Sequence, residues 1–189
     1  MDLVLFGIQG SGKGTQAKKL AEEFGFYIFE AGGELRTIAS SGSDLGNTVK
    51  SYIDEGHLVP FEIIMEVVRT AVLAQPASQK ILFDGIPRDH EQMAAFNKIM
   101  DEANRPFVCV QIMVNEEQAF QRILGRATEQ GRADDADEEK IYRRMDLFRE
   151  KTIPVIQEYR KKGNLIEVDG EGAVEEIYER FKLAVTSSL

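Results

Sequence analysis

The sequence predicts an α/β fold, in which one three-layer domain holds a five-stranded parallel β-sheet between two layers of helices. Five short apolar runs are continuous rather than alternating, which is typical of strands buried on both faces. Helix-length periodic segments separate these runs, and parallel strands need crossovers of that length. The 189 residues are 43% hydrophobic and 29% charged, a composition typical of one globular domain with its own core.

The predicted elements alternate along the chain. Strands are expected at Leu3–Phe6, Phe26–Phe29, Ile81–Phe83, Phe107–Val114 and Leu165–Val168. Helices are expected at Gly14–Phe24, Glu62–Leu73, Glu91–Glu102, Glu116–Ala127, Glu138–Lys162 and Val174–Val185.

Two segments do not fit this alternation. Ala31–Pro60 reads as a strandless insertion of small helices, broken at Ser41-Gly42 and at Gly56. Arg126–Asp137 is polar and has little to bury. Because lids come from weakly packed segments, we expect two small mobile lobes, at 30–59 and 126–136, within the single domain 1–189. The alternative is that both are plain surface loops.

Charge and cysteine content exclude several classes of protein. Lys+Arg total 23 against 32 Asp+Glu, giving a net charge of −9, which disfavours a nucleic acid polymer or an anionic membrane as partner. The single cysteine, Cys109, excludes an internal disulfide and a cysteine-based structural zinc site. The apolar opening lacks the basic and long apolar regions of a signal peptide, and no stretch is apolar enough to span a membrane. We therefore expect a cytoplasmic protein.

A glycine-rich turn follows the first predicted strand and opens a helix. Gly7–Thr15 satisfies G-x-x-x-x-G-K in the context that a phosphate-binding P-loop requires. The glycines let successive backbone N–H groups point into one concavity, and Lys13 adds a full charge for the β- and γ-phosphates. Gly14 stands where a Ser or Thr is usual, with Thr15 one place later. The predicted phosphate-binding residues are Gly10, Ser11, Gly12, Lys13, Gly14 and Thr15.

A second signal lies at the end of the third predicted strand. Asp84 ends an apolar run, at the sheet edge where the P-loop is expected, and could hold Mg²⁺ or its water shell. Gly85 and Pro87 then form a rigid turn that projects Arg88 from the same edge.

Arginine is suited to binding phosphate because its planar fork donates two hydrogen bonds to phosphate oxygens. We interpret Arg144, Arg149 and Arg160 as solvated helix faces. The acidic run at 134–139 lacks calcium-loop spacing and reads as a helix start, with Asp135 and Glu138 as a capping box. The candidate phosphate-binding arginines are Arg36, Arg88, Arg122, Arg126, Arg132 and Arg143.

These pieces together resemble the adenylate kinase family of nucleoside monophosphate kinases over essentially the whole chain. Gly7–Thr15 is similar to its G-x-x-G-x-G-K-G-T loop, and Asp84–Arg88 to its D-G-[FY]-P-R signature with Ile86 replacing the aromatic residue. Gly56–Pro60 resembles G-x-[LI]-V-P, and Gly131–Asp135 resembles the lid motif G-R-x-D-D. Only five residues separate Arg126 from Arg132, so the chain resembles the short-lid form, which lacks zinc.

The resemblance implies an ATP:AMP phosphotransferase that converts MgATP and AMP to two ADP, and that works as a monomer. It implies that electrostatic catalysis uses Lys13, Arg88, Arg126, Arg132, Arg143 and Asp84, with Asp84 on the magnesium through water. It assigns ATP to Gly10–Thr15, Arg122, Arg126 and Gly172. It assigns AMP to Ala31, Arg36, His57, Leu58, Val59, Gly85, Arg88, Gln92, Arg132 and Arg143.

The chain departs from the family pattern around residue 30. Ala31 stands where adenylate kinases carry threonine and UMP/CMP kinases carry alanine, whereas Gln92 matches the adenine-selective members. Gly33 replaces an aspartate near the metal's water shell, and Glu30 replaces a serine. The expected acceptor is AMP. The alternatives are a UMP/CMP or broad-specificity kinase, a P-loop ATPase, and a catalytically weakened nucleotide-binding protein.

Overall fold

The structure is a computed structural model, which describes residues 1–130 and 137–187, with the backbone alone at 126–130. The strands are β1 (Asp2–Phe6), β2 (Tyr27–Glu30), β3 (Ile81–Asp84), β4 (Phe107–Met113) and β5 (Leu165–Asp169). The helices are α1 (Lys13–Phe24), α2 (Ala31–Ala39), α3 (Asp44–Asp54), α4 (Phe61–Ala74), α5 (His90–Glu102), α6 (Glu116–Gln130), α7 (Glu138–Leu147), α8 (Ile153–Lys161) and α9 (Val174–Thr186). No helix within these residues is long and apolar enough to cross a bilayer.

The five strands form one parallel sheet in the order β2-β3-β1-β4-β5, which confirms the predicted fold class. Strand β1 is central, and the chain leaves it at the carboxyl edge into the glycine-rich loop. Each strand bound differs from the predicted one by at most one residue. Three strands end at this edge with an acidic residue, namely Glu30, Asp84 and Asp169. Neighbouring strands therefore deliver Glu30 and Asp84 in register with each other.

Both faces of the sheet are covered, which explains why the strands read as continuous apolar runs. In β1, Val4 and Phe6 belong to a core beneath α4, α5 and α8, whereas Leu3 and Leu5 belong to a second core beneath α1 and α9. All four are buried. Successive strand residues point to opposite faces, so each strand supplies both cores.

The amino edge of the sheet is closed by a buried ion pair. The Arg105 Nε donates to Asp2 Oδ2 over 2.7 Å, and the two side chains are only 6% and 5% exposed. Asp2 Oδ1 also accepts the Ile81 N–H, and the Arg105 guanidinium donates to the carbonyl oxygens of Pro76 and Gln79. This pair therefore fastens β1, β3 and the turn before β4 to one another.

The insertion after β2 contains α2 and α3, as the sequence predicts. Between them the chain turns at Gly42, in the left-handed region at φ +71°, and Ser43 caps α3 by accepting the Gly46 N–H. Gly56 lies close to Lys140, so the end of this insertion packs beside α7. Whether the segment moves stays a prediction.

The single helix predicted over Glu138–Lys162 is divided in the structure. A π-helical turn, Phe148–Thr152, joins α7 to α8. Pro154 lies in the first turn of α8, where its ring nitrogen cannot donate to the carbonyl four residues earlier. The predicted capping box is also wrong, because the Asp137 side chain caps α7 and Glu138 is its first residue. Asp135 lies outside the described residues.

Candidate active site

The P-loop wraps back on itself before α1 begins. Gly10 has φ +80°, and a Cβ added there would lie 2.2 Å from the Ala119 carbonyl oxygen, so both conformation and space require glycine. Gly12, at φ +92°, precedes α1. No side chain caps the start of α1, and the positive end of the helix dipole favours an anion there.

The Lys13 side chain folds over this loop. Its Nζ donates to the Gly7 carbonyl oxygen over 2.7 Å and to that of Ile8 over 3.2 Å. The ammonium group therefore lies within the concavity that the loop backbone forms. This is where the sequence places the charge for the β- and γ-phosphates.

The turn after β3 holds Arg88 firmly. Its Nε donates to the Gly85 carbonyl oxygen over 2.8 Å, and its backbone N–H donates to Gln92 Oε1 over 2.8 Å. Its carbonyl oxygen accepts the Thr152 hydroxyl over 2.8 Å. Gly85 has φ +87°, which favours glycine at this position. Arg88 is thus fixed through both its backbone and its side chain.

One cleft of about 450 Å³ runs along the carboxyl edge of the sheet. It extends from the P-loop to the Arg88 turn and to the α2–α3 insertion. Among the described residues that line it, two carboxylates are outnumbered by six cations. The carboxylates are Glu30 and Asp84, and the cations are Lys13, Lys18, Arg36, Arg88, Arg122 and Arg144. A protein with a net charge of −9 therefore concentrates positive charge in one cleft.

Burial lowers the pKa of the Arg88 guanidinium, and the positive charges of Arg144 and Arg36 act in the same direction. The carboxylate of Asp84 opposes them and raises this pKa. An arginine stays protonated in spite of such shifts. The cleft therefore holds a desolvated cation next to other cations, an arrangement that a polyanion would stabilise.

A small recess adjoins the cleft on the side of α2. It is formed largely by residues expected to bind the monophosphate, namely Ala31, Leu58, Val59, Gly85, Arg88 and Gln92. Arg36 and His57 line the main cleft beside it. These residues span 62 positions of the sequence, from Ala31 to Gln92, and the fold brings them together.

Most residues expected to bind ATP also line the cleft: Gly10, Gly12, Lys13, Gly14, Thr15 and Arg122. Two others do not. Ser11 is fully buried behind the loop, and Gly172 is absent from the cleft lining. Gly172 instead packs against Glu176 and Arg180 of α9 at φ +110°. Arg132 lies outside the described residues, as does the side chain of Arg126.

Arg143 does not line the cleft, which differs from the sequence interpretation. It is exposed and donates to the Glu55 carbonyl oxygen, whereas its neighbour Arg144, interpreted as a solvated helix face, lines the cleft. The apolar stripe of α7 could have indicated which of these two arginines lines the cleft. Arg144 follows Ile141 by three residues and precedes Phe148 by four, so it shares their face, whereas Arg143 does not.

Besides Arg144, three charged or hydroxyl-bearing residues of the cleft lining were not predicted as functional candidates: Lys18, Glu30 and Thr152. Lys18 lies one turn after Gly14 on α1, which helical spacing could have indicated. Thr152 reaches Arg88 only because the π-helical turn directs it there. Pro154, two residues later, indicates an interrupted helix but does not indicate which side chain the turn directs to Arg88.

The residues beside the P-loop fit a magnesium ion bound with a nucleotide. Asp84 Oδ2 lies 3.9 Å from the position that a Cβ on Gly14 would occupy, which places this carboxylate beside the P-loop. In the part of the chain that the structure describes, no three metal-ligating side chains converge. One carboxylate beside a phosphate site suits Mg²⁺, which keeps several waters and binds through one or two carboxylates plus substrate phosphates.

Comparisons with known proteins point to one family. The family model for adenylate kinase matches residues 5–164. Adenylate kinase from Thermus thermophilus is 38% identical over 184 residues, covering 97% of this chain and 96% of that protein. Those from Phocaeicola vulgatus and Hyphomonas neptunium are 35% and 34% identical, covering 98% and 100% of both chains. The chain therefore belongs to the adenylate kinase family.

Proposed function

We propose that this chain catalyses reversible transfer of the γ-phosphoryl group from ATP, bound with Mg²⁺, to AMP, giving two ADP. One observation carries the proposal: a single cleft joins the P-loop to the recess that contains Gln92. Arg88 lines both the cleft and the recess. A donor phosphate on the loop and an acceptor phosphate beside the recess would therefore meet at this arginine.

The P-loop side would hold ATP. The N–H groups at the start of α1 and the ammonium group of Lys13 bind the β- and γ-phosphates. Arg122 adds a second cation from α6. By resemblance to the family, Arg126 and Gly172 complete this side, with Gly172 contacting adenine through its backbone.

The recess side would hold AMP. Arg36 and Arg88 bind the monophosphate, while Leu58 and Val59 line the recess that takes the base. Because Gln92 Oε1 accepts the Arg88 N–H, its amide NH₂ is the group that donates to an acceptor on the base, such as adenine N1.

The chemistry needs no covalent intermediate. As charge spreads over the transferring oxygens, Lys13, Arg88 and Arg144 stabilise it from fixed positions, with Arg126 and Arg132 added from the lid. Arg144 takes the place that the sequence assigned to Arg143. Closure of the lobes at 30–59 and 126–136 would exclude water, which otherwise accepts the phosphoryl group.

Mg²⁺, when bound, would neutralise part of the charge on the ATP phosphates. Asp84 would hold one of its water ligands from the end of β3. A monomeric state and a cytoplasmic location remain predictions of the sequence.

A second acceptor class is favoured by one residue. Ala31 lines the recess, and the UMP/CMP kinases carry alanine at this position. A smaller side chain leaves more room at the recess wall, so acceptance of other monophosphates is the second candidate.

The test mixes the protein and MgATP with AMP, CMP, UMP or GMP in turn and follows diphosphate formation. We expect AMP to give at least a tenfold higher kcat/KM than the others. Preference for UMP or CMP would establish the second candidate, and diphosphate formation with none of the four would contradict the proposed function.

A further inference from the structure

An ion pair occupies the part of the cleft where the monophosphate is expected. Glu30 ends β2, and its Oε1 accepts from Arg36 Nη2 over 2.8 Å. Arg36 lies on α2, six residues later, and both side chains line the cleft. With 37% and 44% of these side chains exposed, the pair is open to solutes.

Gly33 lies directly beside this pair. A Cβ added there would lie 3.4 Å from Glu30 Oε2, and the Gly33 backbone is outside the left-handed region. Glycine is thus not required by conformation at this position. A carboxylate on residue 33 would instead face that of Glu30, and like charges at such a distance repel. A carboxylate at residue 33 and one at residue 30 are therefore unfavourable together, and this chain carries the one at residue 30.

The Glu30 carboxylate and a phosphate would compete for the same guanidinium. Arginine binds phosphate through two parallel N–H donors, and Nη2 of Arg36 already donates to Glu30. A phosphate that arrives at Arg36 must displace the carboxylate or accept its repulsion. Either event costs affinity that the monophosphate would otherwise gain.

We propose that Glu30 is an affinity-determining residue for the acceptor, an internal anion that the monophosphate must displace from Arg36. This inference rests on the proposed function, in which Arg36 binds the monophosphate. It further implies that the carboxylate weakens binding of anions that make few other contacts. Inorganic phosphate, which has no base to fill the recess, is such an anion.

The test measures AMP and adenosine binding by calorimetry, without ATP, to the unmodified protein and to Glu30→Gln. The substitution keeps the side-chain shape and removes the charge. We expect AMP to bind about fivefold more tightly, the upper range for a partly exposed ion pair. Adenosine, which has no phosphate, should bind unchanged. In turnover, KM for AMP should fall by a similar factor while kcat stays within twofold.

Glu34→Gln is the matched control, since it removes the same charge from α2 without touching the partner of Arg36. It should leave AMP affinity within twofold. Unchanged or weaker AMP binding in Glu30→Gln would overturn the inference, as would an equal gain in Glu34→Gln. Arg36→Ala distinguishes a failure of this inference from a failure of the proposed function. If that variant binds AMP as tightly as the unmodified protein, the proposed role of Arg36 fails, whatever Glu30→Gln does.

Discussion

The two edges of the sheet each carry an arginine–carboxylate pair, and the two pairs differ in burial. At the amino edge, Asp2 and Arg105 are about 5% exposed, and the backbone around them supplies further hydrogen bonds. At the carboxyl edge, Glu30 and Arg36 are about 40% exposed and line a cleft. The same chemical pair therefore fastens the fold at one edge and remains exchangeable at the other.

The two ion pairs differ because water reaches the one at the carboxyl edge and not the one at the amino edge. A buried charge that loses its partner has no water to replace it, so a buried pair is costly to break. An open pair can exchange its partner for water or for a ligand anion at low cost. Substitutions at the amino edge should thus change stability, and those at the carboxyl edge should change binding and turnover.

The largest effect is expected at the carboxyl edge, on Arg88. Arg88→Ala removes a cation that is fixed at the junction of the cleft and the recess. We expect kcat for ADP formation to fall by about 10³-fold, since such cations act mainly on the transition state. Steady-state kinetics measure this loss, and circular dichroism should show an intact fold. Near-normal activity in this variant would remove Arg88 from the mechanism.

At the amino edge, Asp2→Asn leaves Arg105 buried without a countercharge. We expect the free energy of unfolding to fall by about 3 kcal/mol. Urea titration measures it, and kcat per folded molecule should not change. Glu30→Gln is the matched comparison and should cost under about 1 kcal/mol. Equal losses in the two variants would contradict the contrast between the edges.

A comparison of the adjacent arginines of α7, Arg143 and Arg144, tests where the functional cleft ends. Arg144→Ala removes a cleft cation, so we expect kcat to fall by about 10²-fold. Arg143→Ala removes an exposed side chain that binds the Glu55 carbonyl oxygen, and kcat should stay within threefold. The two variants differ only in helical position. A larger loss in Arg143→Ala would restore the interpretation made from the sequence.

The smallest effect is expected at Thr152, which positions Arg88 through its carbonyl oxygen. Thr152→Val keeps the shape and deletes the hydroxyl donor, so we expect kcat to fall about fivefold, equivalent to one ordinary hydrogen bond. KM for ATP should stay unchanged, and Thr152→Ser should restore kcat. A change confined to thermal stability would show that the hydroxyl is only structural.

The sheet and the P-loop could be predicted because their signals are local. The strand runs, the spacing of Gly12 and Lys13, and the turn at Asp84–Arg88 each lie within a few consecutive residues. The structure places Arg144 rather than Arg143 in the cleft because adjacent residues on a helix point about 100° apart. The cap at Asp137 and the buried Ile141 and Met145 set the position and rotation of that helix.

Contacts that depend on how one element is oriented relative to another were the least predictable. The sequence marked Glu30 and Gly33 as departures but could not show that Glu30 binds Arg36. That contact depends on the angle at which α2 leaves β2. The Thr152 contact depends in the same way on a π-helical turn. In both cases a short-range hydrogen bond follows from the geometry of whole elements.

The central claim is that this cleft transfers a phosphoryl group to AMP and withholds it from water. The most direct measurement follows ADP and inorganic phosphate together, with MgATP alone and with AMP added. We predict two ADP for each ATP consumed when AMP is present, and inorganic phosphate at less than about one hundredth of that rate when AMP is absent. Equal release of inorganic phosphate in both samples would contradict the account.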